Sequence, residues 1–257
     1  MSASLFEKVK ILIKAIKTIK NWNLYLLLYF GLLRDDLIFV FRNNSKIKIR
    51  SGSTDFYVLT NVWLLEEYDN KKIQIRKDDT IIDIGAHVGF FTIYVSQFCT
   101  NGRIYCYEPI KENYDLLSYN IELNNIKNTT IFQKAVTDKQ SVVRMFLNQD
   151  TAAHSVFTES SEYVDIESVS LKNIFDSNKI EKCDLLKLDC EGSEYIILNS
   201  LPDSYFEYIK KIVMEYHMAD KKPDLLQNLI KKLSGLNYKL DVRKNTDYSG
   251  IIFAIKE

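Results

Sequence analysis

Two short segments carry side chains able to take a proton from an alcohol or to hold a hard cation beside one. Asp189 and Glu191 lie in Leu188-Asp189-Cys190-Glu191-Gly192, and Glu215 and His217 lie in Val213-Met214-Glu215-Tyr216-His217. An alcohol is a poor nucleophile at neutral pH, so activating it needs a general base or a Lewis acid. In one arrangement His217 is the base, because imidazole titrates near neutrality, and Asp189 or Glu215 orients it. In the other, Asp189 and Glu215 hold a divalent cation, magnesium or manganese, which prefers oxygen ligands. Glu191 completes the candidate catalytic set, and Gly192 lets the following helix begin close to a ligand. Glu194 reads as an ordinary first-turn acid favouring a helix N-terminus.

A second group of residues points to a cofactor. The chain has only eight glycines, and two stand four apart in Ile81-Ile82-Asp83-Ile84-Gly85-Ala86-His87-Val88-Gly89. Glycines that turn a strand into a helix let a carboxylate or phosphate approach free backbone N–H groups. A bulky side chain at Gly85 is expected to block the ligand's path. At the next strand end, Tyr107-Glu108-Pro109 puts an acid where doubly wound sheets bind ribose hydroxyls. A dinucleotide site needs G-x-G-x-x-G, whereas this chain has D-x-G-x-x-x-G. That spacing crowds a pyrophosphate and suits a zwitterionic amino-acid tail, with Asp83 available to its ammonium through water or backbone. S-adenosylmethionine is therefore the expected cofactor, bound by Asp83, Gly85, Ala86, His87, Gly89, Glu108, Pro109 and Ala135. A dinucleotide-dependent oxidoreductase is the alternative reading, and a non-catalytic S-adenosylmethionine-binding protein is a third.

These residues need a frame that gathers strand ends. From residue 80 onward, apolar β-rich runs alternate with stretches of helical period, the pattern of a parallel sheet covered by helices on both faces. Strands are expected at 80–84, 103–108, 129–133, 184–189 and 210–216, and helices at 88–99, 111–125, 193–200 and 223–234. Two extra strands, 141–148 and 163–170, flank a Ser/Thr-rich loop holding His154, placed to cover a substrate. Strands 237–243 and 250–255 are joined by too short a segment for a crossover helix, so they pair antiparallel. The fold class is α/β. Ligands in such sheets bind beyond the carboxyl ends of the strands where strand order reverses, and neighbouring strands 184–189 and 210–216 would bring the four candidate catalytic residues together. Residues 1–79 read as an N-terminal helical extension with a short β element around Ile47-Lys48-Ile49, packed on a domain spanning 80–257. Phe56-Tyr57-Val58-Leu59 and Phe90-Phe91 read as filling the faces of the sheet.

Four ordered blocks, D-I-G-A-H-V-G-F-F, Y-E-P-I-K-E-N-Y-D-L-L-S-Y-N-I-E-L-N-N, D-L-L-K-L-D-C-E-G-S-E and V-M-E-Y-H, resemble the FkbM-type S-adenosylmethionine-dependent methyltransferases. So does R-S-G-S-T-D at 50–55, followed by Glu67-Tyr68. The resemblance implies a Rossmann-like class I methyltransferase fold, a mostly parallel seven-stranded sheet with a C-terminal antiparallel hairpin and helices on both faces. It also implies O-methylation of a hydroxyl, often of a sugar or a polyketide-type natural product, and a saccharide or glycan is the expected acceptor. Two positions depart from the family pattern: His87 stands where Asn is usual, and Lys172 where an acidic residue is usual.

Composition bounds the remainder. The 257 residues are 46% hydrophobic and 26% charged, a globular balance, and 34 Lys plus Arg offset 34 Asp plus Glu. Neutrality argues against a broad basic surface for nucleic acid. Cys99, Cys106, Cys183 and Cys190 show no C-x-x-C pair and read as reduced thiols in a cytoplasmic protein. The apolar run Trp22 to Leu33 is too short to span a bilayer and lacks a cleavage pattern. Residues 5–20 form an amphipathic basic helix, with Lys10, Lys14 and Lys17 on one face and Val9, Leu12, Ile13, Ile16 and Ile19 on the other. It either docks on the domain or lies on an anionic inner-membrane surface, which would suit a lipid-linked substrate.

Overall fold

A single side chain shows how the N-terminal segment is held. The amide of Asn21 donates to the carbonyl of Ile38 (2.9 Å), and its oxygen accepts from the Val40 N–H (2.9 Å). This pins the junction of α1 (Leu5–Thr18) and α2 (Trp22–Tyr29) against β1 (Leu37–Val40), which pairs antiparallel with β2 (Lys46–Ile49). The chain continues through α3 (Asp55–Leu59) into a π turn, Thr60–Leu64. The free edge of β2 is satisfied by two side-chain amides one helical turn apart: Asn120 bonds the N–H and carbonyl of Lys48, and Asn124 those of Lys46. A backbone edge that would otherwise invite another strand is thus paired within the chain. This computed structural model describes residues 5–68, 73–147 and 162–256, so His154 lies outside the described residues.

The second half is built on β3 (Thr80–Ile84), α4 (Phe90–Ser96), β4 (Arg103–Tyr107), α5 (Lys111–Leu123) and β5 (Thr129–Phe132). There follow β6 (Ala135–Thr137), β7 (Ser141–Phe146), β8 (Tyr163–Ser170), α6 (Leu171–Asn178), β9 (Leu185–Leu188) and α7 (Glu194–Ser200). The chain ends with β10 (Lys211–Tyr216), α8 (Pro223–Gly235), β11 (Tyr238–Lys244) and β12 (Gly250–Lys256). Seven strands form one sheet in the order β11-β12-β10-β9-β3-β4-β5, parallel except where β12 runs against both neighbours. Period-two alternation divides the side chains into two layers. Ile82, Ile84, Leu186, Leu188, Ile212 and Met214 pack with α6, α7 and α8, while Ile81, Leu185, Val213, Phe253, Ile104 and Cys106 pack with α4 and α5. Both faces are covered, as expected. Strand order reverses between β3 and β9, so the ligand-binding crevice falls at their carboxyl ends.

Several elements differ from expectation. The first helix of the sheet domain begins at Phe90 rather than 88, because Gly89 sits at φ 97° and its N–H bonds the carbonyl of Ala86, extending the turn. The extra strands β7 and β8 form a separate sheet with β6, ordered β6-β8-β7. Helix α6 was not signalled by periodicity; Ser170 caps it by accepting from the Asn173 N–H (3.1 Å). Phe56 to Leu59 do not fill a sheet face but form α3, with Tyr57 exposed and Leu59 buried in the N-terminal cluster. The core takes Ile11 and Ala15 from α1 and Ile19 just past its end, which leaves Val9 and Ile13 exposed on the lysine-bearing side. The helix therefore has apolar residues on two sides rather than one. No described helix is long and apolar enough to cross a membrane.

Candidate active site

The turn after β3 is tied to the end of β4. The N–H groups of Gly85 and Ala86 both donate to the Tyr107 carbonyl, at 3.0 and 3.1 Å. The His87 N–H donates to Glu108 Oε2 (2.8 Å), while Glu108 Oε1 accepts from the Ile110 N–H (3.0 Å). Gly85 holds φ 75° and His87 φ 50°, conformations that cost L-residues energy and mark a tightly specified loop. The glycine at 85 is required for a reason other than the ligand path: a Cβ there would collide with the carbonyl oxygen of Asp189. Gly89 likewise faces protein, since a Cβ would come 2.8 Å from Leu117 Cδ1.

Asp83 is not in the crevice. It is fully buried beneath the turn, accepting from the Thr92 hydroxyl (2.7 Å) and paired with Lys187 Nζ at 3.3 Å. Lys187, on neighbouring β9, also donates to the Gly85 carbonyl (2.7 Å) and lies 3.6 Å from Asp189 Oδ2. Burial opposes its charge, but Asp83 and Asp189 outweigh it and hold the ammonium above its ordinary value. Ala86 also turns its side chain into the core, beside Ile81 and Phe91.

The four candidate catalytic residues converge at the ends of β9 and β10. His217 Nε2 lies 3.7 Å from Glu191 Oε2 and 3.7 Å from Glu215 Oε1. Asp189, Glu191 and His217 each offer a ligand atom, all within 4.8 Å of one another. Glu191 reaches this position because it takes φ 54° ahead of Gly192 at φ 104°. Glu194 sits in the first turn of α7, as expected, but does more than favour the helix start. Fully buried, it accepts from the N–H groups of Cys190 (2.8 Å) and Gly192 (2.9 Å), and it holds His217 Nδ1 at 3.1 Å. The acid that orients His217 is therefore Glu194, not Asp189 or Glu215. Tyr68, unassigned from sequence, donates to Asp189 Oδ2 (2.8 Å).

Charge is concentrated here. Burial lowers the His217 pKa, but Glu194, Glu191 and Asp189 more than compensate and raise it well above the ordinary imidazole value. Glu215 is pushed up to about 9 by burial and the nearby Asp189, and Glu67 to about 7 by the same two causes. Burial also raises Asp189, yet Lys187 and His217 hold it below the usual carboxylate range. On the other side of the crevice, burial pushes His87 down to about 4, so its ring is neutral at physiological pH. Its Nε2 lies 3.4 Å from Arg50 Nη2 and 3.5 Å from Asp55, the acid that Arg50 grips with two guanidinium hydrogen bonds.

An open crevice of about 710 Å³, solvent-open space included, runs between these groups. Gly85, His87, Glu108, Pro109 and Ala135 line it with Ile110, Asn113 and Val136, and Asp189 and Glu191 line its other end. The fit to S-adenosylmethionine rests on two observations. Glu108 is a buried acceptor at a strand end in the crevice wall, its carboxyl pushed up to about 7 by burial. His87 Nδ1 is a buried polar atom of the wall with no hydrogen-bond partner among the described residues. A divalent cation also finds suitable donors, two carboxylates and an imidazole whose second nitrogen is fixed by Glu194, although Lys187 and Tyr68 already engage Asp189.

The sheet order, the glycine turn and the acid at the end of β4 define a Rossmann-like methyltransferase. The fibrillarin pre-rRNA processing protein of Methanococcus jannaschii shares the fold, with a TM-score of 0.51 at 13% identity over 87% of this chain and 83% of that one. The family model of the methyltransferase FkbM domain matches residues 83–240, and the chain belongs to that family. Methyltransferase 1 of Beauveria bassiana is 24% identical over 66% of this chain and 81% of its own. The 31-O-demethyl-FK506 methyltransferase FkbM of Streptomyces tacrolimicus is 22% identical, covering 58% of this chain and 69% of its own. The hexuronic acid methyltransferase AglP of Haloferax volcanii is 22% identical, over 65% and 71% respectively.

Proposed function

We propose that this protein transfers the methyl group of S-adenosylmethionine to a hydroxyl of a saccharide. The observation that carries the reading is the placement of His217: Glu194 fixes its Nδ1, so Nε2 is turned toward Glu191 and Glu215 and lies beside Asp189, and of these acids Asp189 and Glu191 line the crevice. When bound, S-adenosylmethionine supplies an electrophilic methyl group. Glu108 would accept hydrogen bonds from its ribose, the walls at Pro109, Ile110, Ala135 and Val136 would enclose its base, and the turn at 85–89 would meet its amino-acid tail.

At the far end, the acceptor hydroxyl becomes strongly acidic as the new carbon–oxygen bond forms, and its proton must go to a group within reach. Asp189, Glu191, Glu215 and His217 interact too closely to titrate singly, so they take up that proton as a unit. The saccharide is suggested by the Haloferax relative, whose name places a hexuronic acid as its substrate, and hydroxyl chemistry by the O-demethyl compound named for the Streptomyces relative. Labelled-methyl transfer into a cell extract separated into lipid, glycan and small-molecule pools tests this. Label in sugar-containing material supports it, and label confined to sugar-free pools removes the saccharide.

A second reading has Asp189, Glu191 and His217 holding magnesium or manganese, favoured by their mutual distances. The cation would lower the pKa of the bound hydroxyl. Chelation separates the two versions: activity that survives it belongs to the proton-accepting cluster, and activity abolished by it and restored by magnesium or manganese belongs to the cation.

A further inference from the structure

The first two turns of α1 overhang the residues that anchor it. Ala15 and Ile19 are fully buried, whereas Val9 and Ile13 are exposed and Phe6 is 79% exposed. Beside Val9 runs a groove of about 1560 Å³, open to solvent, between α1, α2 and α3, with Val9, Leu12, Leu26, Tyr29, Phe30 and Tyr57 in its walls. Phe30 and Leu32, each 67% exposed, continue the apolar surface on either side of Gly31, which turns the chain at φ 67°. Singly scattered apolar residues on a surface mean little, but a contiguous patch with a groove marks a place of contact.

Charge selects the partner. The first 33 residues hold five lysines and one acid, Glu7. Phe6, Lys10, Ile13 and Lys17 follow one another at i, i+4, i+7 and i+11, so apolar and cationic side chains share one outward stripe. A second copy meeting this face symmetrically would set lysine against lysine. A lipid surface with anionic headgroups complements both features, taking the apolar side chains at the acyl boundary and the lysines at the phosphates.

We propose that the exposed stripe Phe6-Lys10-Ile13-Lys17 of α1 and the exposed apolar pair Phe30 and Leu32 that follows α2 dock the protein on an anionic membrane surface. Helix α3 lies between the groove and the cofactor crevice, with Tyr57 in the groove and Val58 in the crevice wall. Docking would thus hold the crevice beside the lipid headgroups. The proposal stands independently of which acceptor is methylated.

Vesicle co-sedimentation of the full chain tests it, comparing phosphatidylcholine alone with phosphatidylcholine containing phosphatidylglycerol. Binding should require the anionic lipid and fall as salt rises. Lys10→Ala with Lys17→Ala should weaken it about 25-fold, at about fivefold per lysine. Phe30→Ser with Leu32→Ser, at exposed positions, should abolish it at unchanged melting temperature and unchanged S-adenosylmethionine affinity. Equal sedimentation with both vesicle types, or none with either, overturns the proposal. So does a concentration-dependent dimer that Phe30→Ser and Leu32→Ser dissolve without any effect on vesicles, which would make the face an interface between copies.

Discussion

Glu194 and His217, on α7 and at the end of β10, meet through a 3.1 Å contact between Oε1 and Nδ1. A carboxylate can only accept, so Nδ1 is the donor and Nε2 is the nitrogen turned toward Glu191 and Glu215. The other oxygen of Glu194 accepts from the Gly192 N–H (2.9 Å), so one buried side chain fixes both the imidazole and the loop that carries Glu191. The carbonyl of His217 is held as well, by the Tyr195 hydroxyl at 2.7 Å.

Glu194→Gln should therefore act on turnover and not on cofactor binding. An amide keeps the shape but sets an NH2 group against one of the donors that the carboxylate now accepts from. Turnover should fall by up to the about 10²- to 10⁴-fold that a positioned proton acceptor contributes, with the dissociation constant for S-adenosylmethionine unchanged. A parallel loss of cofactor affinity would mean that Glu194 shapes the whole crevice rather than the imidazole.

Glu108 gives a pH dependence with a definite sign. Burial raises its carboxyl to about 7, against the N–H bonds of Ile110 and His87. Ribose hydroxyls donate to the ionised form, so affinity for S-adenosylmethionine should climb as pH rises through about 7 and level off above it, by at most about tenfold per pH unit. Glu108→Ala should weaken binding by about 1.5–3 kcal/mol, roughly 10- to 150-fold, and flatten that rise. Calorimetric titrations at several pH values check both, and a rise that persists in the variant assigns it to another group.

What could be read in the sequence is what is local or periodic. The strand ending at Ile84, the glycine turn and the acid at 108 announce themselves within about one supersecondary unit, because their chemistry depends on neighbours a few residues away. Lys187 and Tyr68 fall in segments that carry the family resemblance, but nothing near them in sequence assigns them a role. Lys187 reads as a mid-strand lysine until β9 is laid beside β3, which brings Asp83 opposite it from 104 residues upstream in the register Asp83↔Lys187. The second role of Glu194 is hidden for the same reason, since a first-turn acid has no visible partner in sequence until β10 delivers His217. The three-residue strand β6 is too short for periodicity to separate it from loop.

Lys187 supplies the last prediction, on the stability of the site. Its ammonium is almost fully buried between Asp83, which is wholly buried, and the carbonyl of Gly85. Removing one member of a buried pair strands the other's charge, a loss of about 3–5 kcal/mol. Lys187→Met should therefore lower the urea midpoint sharply in the absence of any cofactor. Adding Asp83→Asn removes the stranded charge while Thr92 keeps an acceptor for its hydroxyl, which now donates to Asp83 Oδ2 at 2.7 Å. The double variant should recover most of the loss, but not all of it. The Gly85 carbonyl would still lack its donor, at a cost of about 1–3 kcal/mol. If the double variant unfolds as readily as Lys187→Met alone, pairing with Asp83 is not what Lys187 contributes, and its bond to the glycine turn carries the effect instead.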